Sequence, residues 1–358
     1  MKVCILGSGL SALTLAKALV NQNIYVDMFD KKKTNNTSLS RTLGISKSNI
    51  DFFKNHIVDI NNIIWKIKKI EIFTENLKNE KLLNFENKNC EIFSVVKNLN
   101  LVKILEKNLY KNKYFTKIKS VKKINFIKKY NLVINTDHHN QMVTKYFSKK
   151  LVKKYNSFAY TTIIEHDKCK NDVATQIFTK NGPIAFLPIS NKETSIVYSF
   201  NNVDYQKEET IKNLIMQYNK SYKITKINKI HFFELISLDL RSYHEGKILA
   251  FGDLLHRIHP LAGQGFNMTV RDIEILLSII KEKQNLGLPI DSSVNSEFQK
   301  KSKHKNFIFS NGIDLIHQFF NIERQFKNNF ISKSVQFLGN NSSVNKIFTK
   351  IADKGLLF

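Results

Sequence analysis

Two stretches hold residue types whose spacing could do chemistry. The first is Gly252–Asp272, GDLLHRIHPLAGQGFNMTVRD. An apolar run, Lys247–Gly252, ends there, and Asp253 at its tip is placed to hold a polyol through its hydroxyls. His259-Pro260 stiffens the loop that follows, and Gly263 and Gly265 open a helix. Glycines at a helix N-terminus let backbone amides approach a planar, electron-rich ligand, and the helix dipole stabilises negative charge developing on it. The second stretch is Gly7-Ser8-Gly9-Leu10-Ser11-Ala12, which fits the pattern G-x-G-x-x-G/A. Gly7 allows a tight turn, Gly9 leaves room for a pyrophosphate to approach the backbone, and Ala12 lets a helix sit close on a strand. Asp30, about 20 residues on, can accept hydrogen bonds from a ribose diol.

Other candidates weigh less. His256 and His259 form an H-x-x-H pair beside Asp253, but no further ligand of the right kind lies nearby and Pro260 follows at once. No metal site is expected, and both histidines read as structural. Arg41 stands among small residues and reads equally as a solvated cation or as a phosphate or flavin contact. Cys4, Cys90 and Cys169 share no metal spacing and cannot all pair, which favours a reducing compartment, with Cys4 a small core residue. No side chain stands out as a general base.

The elements that position these residues follow from periodicity. Met1–Leu6 and Ile24–Phe29 read as strands around an amphipathic stretch, Leu13–Asn21, the strand–turn–helix–strand context that the first glycine pattern requires. Residues 31–45 are polar and read as a loop. Ser46–Asn55 reads as a short helix with Ser46 as N-cap, Ile63–Thr74 alternates like a strand, and Val95–Asn108 reads as a helix. Leu132–Asp137 is an apolar run ending in a carboxylate. From about Lys150 the texture changes to short β-rich runs, Ser157–His166, Ala174–Phe178, Ile184–Pro188 and Ser195–Phe200, then a longer one, Lys226–Leu238, with a helix over Lys207–Tyr218. This spacing predicts an antiparallel sheet in a second lobe. A helix is expected from about Gly265 to Lys281, and two more over Ser293–Asn321 and Glu323–Lys350.

At 358 residues the chain is long enough for two lobes. The net charge of +26 has two readings: a negatively charged partner, or a composition rich in Lys, Asn, Ile and Phe. The lysines are scattered, with only short runs such as Lys31-Lys32-Lys33, which favours composition. No nucleic-acid motif accompanies the charge, so nucleic acid is not an expected partner; weak attraction to anionic lipid stays open. The N-terminal apolar run is broken at once by the glycine turn, unlike a secretory signal, and no stretch approaches the roughly 18 apolar residues of a membrane span. The expectation is a cytoplasmic protein, or one peripheral on the inner face of the cytoplasmic membrane.

On GSGLSA near the start and the GD…HPLAGQGFN…RD run, the chain resembles the FAD-dependent aromatic hydroxylases, and most closely their ubiquinone-biosynthesis hydroxylase branch. Phe178–Ile189 (FTKNGPIAFLPI), Ser310–Leu315 (SNGIDL) and Asp353–Leu356 (DKGL) are similar to that branch as well. The resemblance implies an α/β fold: a Rossmann-like FAD-binding domain over residues 1–150 and 240–290, an inserted antiparallel-sheet substrate domain over 151–239, and a C-terminal helical region over 291–358. It implies that Gly7, Ser8, Gly9, Leu10, Ser11 and Ala12 hold the FAD pyrophosphate and Asp30 the adenosine ribose. Arg41 and Asn98 match further cofactor contacts. Asp253 would hold the ribityl chain, and Pro260, Gly263, Gln264, Gly265, Phe266, Asn267 and Met268 would lie along the isoalloxazine ring. The implied reaction is hydroxylation of the aromatic ring of a polyprenylated ubiquinone precursor with molecular oxygen, through a C4a-hydroperoxide on the reduced flavin. The reductant, NAD(P)H or a protein electron donor, is left open. Other ubiquinone-biosynthesis proteins and an anionic membrane are the implied further partners. The chain departs from the family in two places: Asp137 is followed by His138-His139-Asn140 where the family carries Asp-Gly, and Lys117–Asn135 is short for the family's β-meander. Both departures leave room for an alternative, a non-catalytic or weakly active FAD-binding subunit of a biosynthetic complex.

Overall fold

The computed structural model describes residues 1–29, 41–77, 80–86, 91–118, 128–201, 205–259, 263–326, 333 and 335–336. The chain begins with β1 (Lys2–Leu6), α1 (Leu10–Val20) and β2 (Tyr25–Phe29), the unit expected from the glycine turn. Every residue of α1 from Ala12 to Val20 is buried, as a helix apolar on nearly all sides must be. β3 (Thr42–Ser46) then leads into α2 (Lys47–Phe52), where the Ser46 side chain accepts from the Asn49 N–H as an N-cap. β4 (Ile64–Ile67), β5 (Lys69–Thr74), β6 (Lys81–Glu86) and β7 (Phe93–Lys97) follow, then α3 (Asn98–Leu109), β8 (Phe115–Ile118), β9 (Leu132–Asn135) and α4 (Gln141–Tyr146).

The second half opens with β10 (Lys150–His166), β11 (Val173–Thr179), β12 (Gly182–Pro188), β13 (Glu193–Phe200), α5 (Glu208–Tyr218), β14 (Ile224–Ile227) and β15 (His231–Leu240). The chain returns through β16 (His244–Glu245), β17 (Ile248–Ala250) and β18 (His256–Arg257) to two long helices, α6 (Gln264–Asn285) and α7 (Ser292–Phe326).

Among the described residues the strands form three sheets. The first runs β16-β17-β9-β1-β2-β8 and is parallel from β17 to β8. Its central strands are buried on both faces, so they read as unbroken apolar runs: Val3, Ile5, Leu132, Val133 and Ile134 are fully buried. The second, larger sheet runs β18-β15-β10-β13-β12-β11-β5-β6, with β14 on β10. One of its faces packs under α5 around Tyr198, Ile184 and Ile215. Its edge pair β5–β6 comes from the first half of the chain and joins through a parallel β5–β11 ladder. A small third sheet, β3-β7-β4, lies between them.

Several expected boundaries move. Residues 42–46 are a strand and not loop, because β7 across the third sheet supplies a partner that local composition does not reveal. The helix expected from Val95 starts at Asn98, and Phe93–Lys97 is β7. Lys226–Leu238 divides into two strands, and β10 begins at Lys150, upstream of Ser157. The two helices expected beyond Ser293 are a single α7 as far as Phe326; the DKGL stretch lies outside the described residues. Cys4 is buried in β1 as expected.

Candidate functional site

The first glycine turn sits where three strand ends meet. The Gly7 N–H donates to Phe29 O at 3.0 Å, and the Thr136 hydroxyl donates to Leu6 O at 2.9 Å. Gly7 has φ +109°, and a Cβ there would lie 2.3 Å from Thr136 Oγ1, so glycine is required both by conformation and by space. Gly9 differs: it is extended (φ −70°, ψ 177°) and a Cβ there would meet nothing within 4 Å. It is the N-cap of α1 and has no side chain to bond the first-turn amides. Leu10 and Ser11 of the first turn are part-exposed beside this open space, at the positive end of a helix dipole, a ready anion site.

The second stretch folds against the first. Gly252, with φ +65°, lies so near α1 that a Cβ there would stand 2.7 Å from Ser11 Cβ. Asp253 follows and is exposed, at the strand-end edge where Ser11 also lies. Gly263 caps α6 with φ 64°, and a Cβ on it would come within 3.3 Å of the Gly44 amide nitrogen. Asn267 fixes this approach. Its Nδ2 donates to Gly44 O at 3.0 Å, while its Oδ1 accepts from the Ser46 N–H at 3.1 Å and from Asn49 Nδ2 at 2.8 Å. The side chain of Asn267 therefore holds β3 to α6. Phe266 turns inward against Phe53, and Met268 packs with Ile258 and Phe309. Along Gly263–Met268 only the two glycines, Gly263 and Gly265, are part-exposed. Gln264 is also buried and reaches Asn267 at 3.5 Å, and Gly265 lies against Ile258. Asp30 and Pro260 lie outside the described residues.

Arg41 and Asn98 converge at one point. The Asn98 N–H donates to Arg41 O at 3.0 Å, continuing the β3–β7 ladder. Arg41 is exposed, and Asn98 is buried with no partner on its Oδ1. A buried acceptor without a partner costs about 1–3 kcal/mol, so Asn98 is poised for a donor from outside the chain. At the third strand end, the Asp137 N–H donates to Asn135 Oδ1 at 3.0 Å. His138, next in the chain, sits 3.5 Å from Arg257 Nη2. Burial, and then the charge of Arg257, hold its imidazole below the usual range.

The two histidines of the H-x-x-H pair are in opposite environments. His256 Nε2 bonds Asp272 Oδ2 at 2.6 Å with both side chains fully buried, and Asn306 donates to the other oxygen at 3.0 Å. Burial alone would lower the His256 pKa; the Asp272 charge and hydrogen bond outweigh it and raise it. His259 has no partner on either ring nitrogen, lies edge-on to Tyr155 and packs on His317 at 4.3 Å. Burial, then His317 and Lys153, push it down to about 3. Tyr155 donates to Asp314, which also pairs with Lys153 at 3.0 Å. Sequence reasoning missed Tyr155 and Asn306, which come from β10 and α7 and carry no local motif, and gave no role to Asp314, although it lies within the SNGIDL stretch. Among the described residues no three His, Cys, Asp or Glu side chains gather as metal ligands, and no helix is long and apolar enough to cross a membrane.

The residues present fit FAD: an uncapped helix N-terminus opens at Gly9, a buried acceptor at Asn98 awaits a donor, and an exposed carboxylate at Asp253 borders the same edge. Residues 178–285 match the family model described as an FAD binding domain. The chain is 29% identical over 178 residues to 3-demethoxyubiquinol 3-hydroxylase of Escherichia coli (strain K12), covering 45% of this chain and 44% of that one. It is 25% identical over 228 residues to the mitochondrial ubiquinone biosynthesis monooxygenase COQ6 of Drosophila melanogaster, covering 52% and 48%. The matched stretches thus span about half the length of these curated relatives. Among solved structures, p-nitrophenol 4-monooxygenase PnpA from Pseudomonas putida DLL-E4 superposes with TM-score 0.79 at 12% identity, over 99% of this chain and 98% of that one. HpxO from Klebsiella pneumoniae, complexed with FAD and uric acid, gives 0.74 at 11% identity over 98% and 97%. These matches bear out the resemblance to the FAD-dependent aromatic hydroxylases and their ubiquinone branch, the mixed α/β fold class, and FAD as the cofactor.

Proposed function

We propose that this chain is a flavin-dependent monooxygenase that hydroxylates the aromatic ring of a polyprenylated ubiquinone precursor. The observation that carries the proposal is the contact of Gly252 with Ser11: two glycine-bearing turns from opposite ends of the sequence close on each other. One such turn suits a pyrophosphate, and the other suits the polyol and ring of the same elongated cofactor. Bound and reduced, FAD supplies activation of molecular oxygen for transfer to an electron-rich ring.

The chain's own residues do the rest. The amides of Leu10 and Ser11 bind phosphate oxygens, and Asp253 accepts from the hydroxyls of the polyol chain. The N-terminus of α6, held on β3 by Asn267, presents backbone N–H groups where the ring gathers negative charge. Residues 1–150 and 240–290 form the cofactor domain in this reading, and residues 151–239 lay a sheet over the ring to orient the substrate and exclude water. An activated phenol needs little acid–base help, so no catalytic base is assigned. A prenylated substrate places the protein at the inner face of the cytoplasmic membrane.

The test is purified protein. Yellow colour with flavin absorbance is expected, together with reductant-dependent oxygen uptake stimulated by a prenylated phenol. Holo-protein that shows no such turnover, from a strain whose deletion leaves the quinone pool unchanged, overturns the hydroxylase reading. One observation favours a second reading, a non-catalytic FAD-binding subunit: His138, half-buried beside Arg257, fills the position where the family has glycine. Bound FAD without oxygen uptake is its signature.

A further inference from the structure

A cavity of about 610 Å³ opens between the first residues of β10, the end of β15 with the turn after it, and α7. Its chemistry is two-sided. Leu240 and Tyr243, both buried, line its floor. Leu151 and Phe307, 47% and 49% exposed, stand beside it as large apolar side chains in water. Around them lie Arg241, Lys300, Lys303 and His304, all exposed. Ser296, Lys300, Lys303 and Phe307 recur at helical spacing, so one face of α7 presents both the cations and the aromatic ring to the cavity. The Tyr243 N–H donates to Gln299 Oε1 at 2.7 Å, which ties that face to the turn.

The cations are not there to satisfy acids. Among the described residues, none of Arg241, Lys300 and Lys303 has a carboxylate within 4.0 Å, whereas Lys301 on another face of the same helix pairs with both Glu297 and Glu282. Lys303 Nζ instead donates to Arg241 O at 2.7 Å, which draws the helix and the turn together. One acid does line the cavity, Asp239. Burial pushes its carboxyl up to about 6, and Ser310 donates to it at 3.1 Å from the inner side.

We infer that this cavity is a binding site for the headgroup phosphate of an anionic phospholipid, with Leu151 and Phe307 entering the acyl boundary beside it. Unpaired cations attract a phosphate, and half-exposed apolar side chains next to them gain by leaving water. A free anion would use the cations alone; a neutral apolar ligand would use the rim alone. A membrane surface with anionic headgroups uses both. The site is separate from the glycine turns and stands whether or not the proposed hydroxylation does.

The experiment is flotation of the flavin-loaded full chain with phosphatidylcholine vesicles, with or without phosphatidylglycerol. Binding is expected only with the anionic lipid. Lys300→Glu with Lys303→Glu is expected to weaken it at least about tenfold, since each basic residue near the surface is worth about 1 kcal/mol. Leu151→Ser with Phe307→Ser is expected to weaken it by about tenfold as well, through lost apolar burial. Lys103→Glu with Lys107→Glu, both exposed on α3, removes the same charge elsewhere and is expected to change binding less than about twofold; the net charge of +26 makes this control decisive. Flavin absorbance shows that each variant has folded, and Lys300→Gln with Lys303→Gln replaces the reversal pair where the reversal disturbs the helix. The inference is overturned if phosphatidylcholine alone binds as well, if the α3 pair weakens binding as much as the α7 pair, if the apolar pair changes nothing, or if millimolar inorganic phosphate releases the protein.

Discussion

Gly7 and Gly9 belong to one motif, yet the structure gives them different work, and substituting each by alanine separates fold from cofactor. At Gly9 the backbone is in a region open to any residue, and a Cβ meets nothing within 4 Å. Alanine is a poorer N-cap than glycine by roughly 0.5–1 kcal/mol, but it also removes about 0.4–1 kcal/mol of unfolded-state freedom. The two terms offset, so apo-protein stability should change by less than about 0.5 kcal/mol. At Gly7, φ of +109° costs an alanine about 1–2 kcal/mol, and the overlap with Thr136 Oγ1 costs about 1–3 kcal/mol more. Apo stability should therefore fall by about 2–5 kcal/mol. The order reverses for FAD in the folded protein. The new methyl at Gly9 stands where the phosphate approaches, and losing one charge-assisted hydrogen bond of about 1.5–3 kcal/mol weakens binding roughly 10- to 100-fold. Urea unfolding of the apo-proteins and fluorescence titration with FAD measure the two quantities. A Gly9→Ala protein that loses more than about 2 kcal/mol of stability, or that binds FAD as tightly as the parent, refutes the assignment of the open space at Gly9 to the cofactor.

Asn267→Ala removes the clamp between α6 and β3 and strands the Ser46 N–H and Gly44 O in the interior; a loss of about 2–6 kcal/mol is expected by urea unfolding, at about 1–3 kcal/mol per orphaned group. His259→Phe should flatten the acid limb of the stability curve. The folded pKa of about 3 lies below the ordinary 6.5, so unfolding takes up a proton, and stability falls by about 1.4 kcal/mol per pH unit from 6.5 downward in the parent. Urea midpoints from pH 4 to 8 that fall equally steeply in the variant contradict this. His256 has the opposite sign: its pKa is raised, so its contribution is complete below 6.5 and is lost as pH rises through the folded value. Asp272→Asn, which leaves a buried imidazole without its counter-charge, should cost about 3–5 kcal/mol at pH 6 by the same measurement, and less once pH has risen through the folded value of His256.

Sequence alone exposes those elements whose partners are local. β1, α1 and β2 announce themselves because glycine spacing, helix period and strand runs all lie within one short unit. The Ser46 cap is legible for the same reason. β3 is not: its residues carry no strand alternation, and it is a strand only because Leu43 and Ile45 pair with Val96 and Ser94 across the third sheet. The true start of α3 is hidden likewise, since Val95 falls in helical register with Leu99 and Val102, yet Phe93–Lys97 lies between β3 and β4 as their common neighbour. At the site, the glycine motifs are visible in the sequence. Their meeting is not, because the contact of Gly252 with Ser11 depends on β17 adding to β9, and β9 to β1. The inward turn of Asn267 is equally hidden, for its partners lie on β3 and α2.

The histidine pair shows how the loop before α6 is held. Its two rings are three residues apart on a segment that pairs with the second sheet through Leu238 and Arg257. His256 reaches back to Asp272 on α6, while His259 lies against Tyr155 on β10 and His317 on α7. A buried ion pair is weak evidence for net stability, and an unpartnered ring is a cost, so neither residue is placed for stability. Their common effect is geometric: one side of the loop is fixed to the helix it precedes and the other to the larger sheet. The N-terminus of α6 then lies so near β3 that a Cβ on Gly263 would come within 3.3 Å of the Gly44 amide nitrogen. Backbone amides stabilise developing charge only when they are already in position. Two histidines that look like metal ligands are better understood as anchors, His256 tying the segment before α6 to that helix and His259 packing it on β10 and α7.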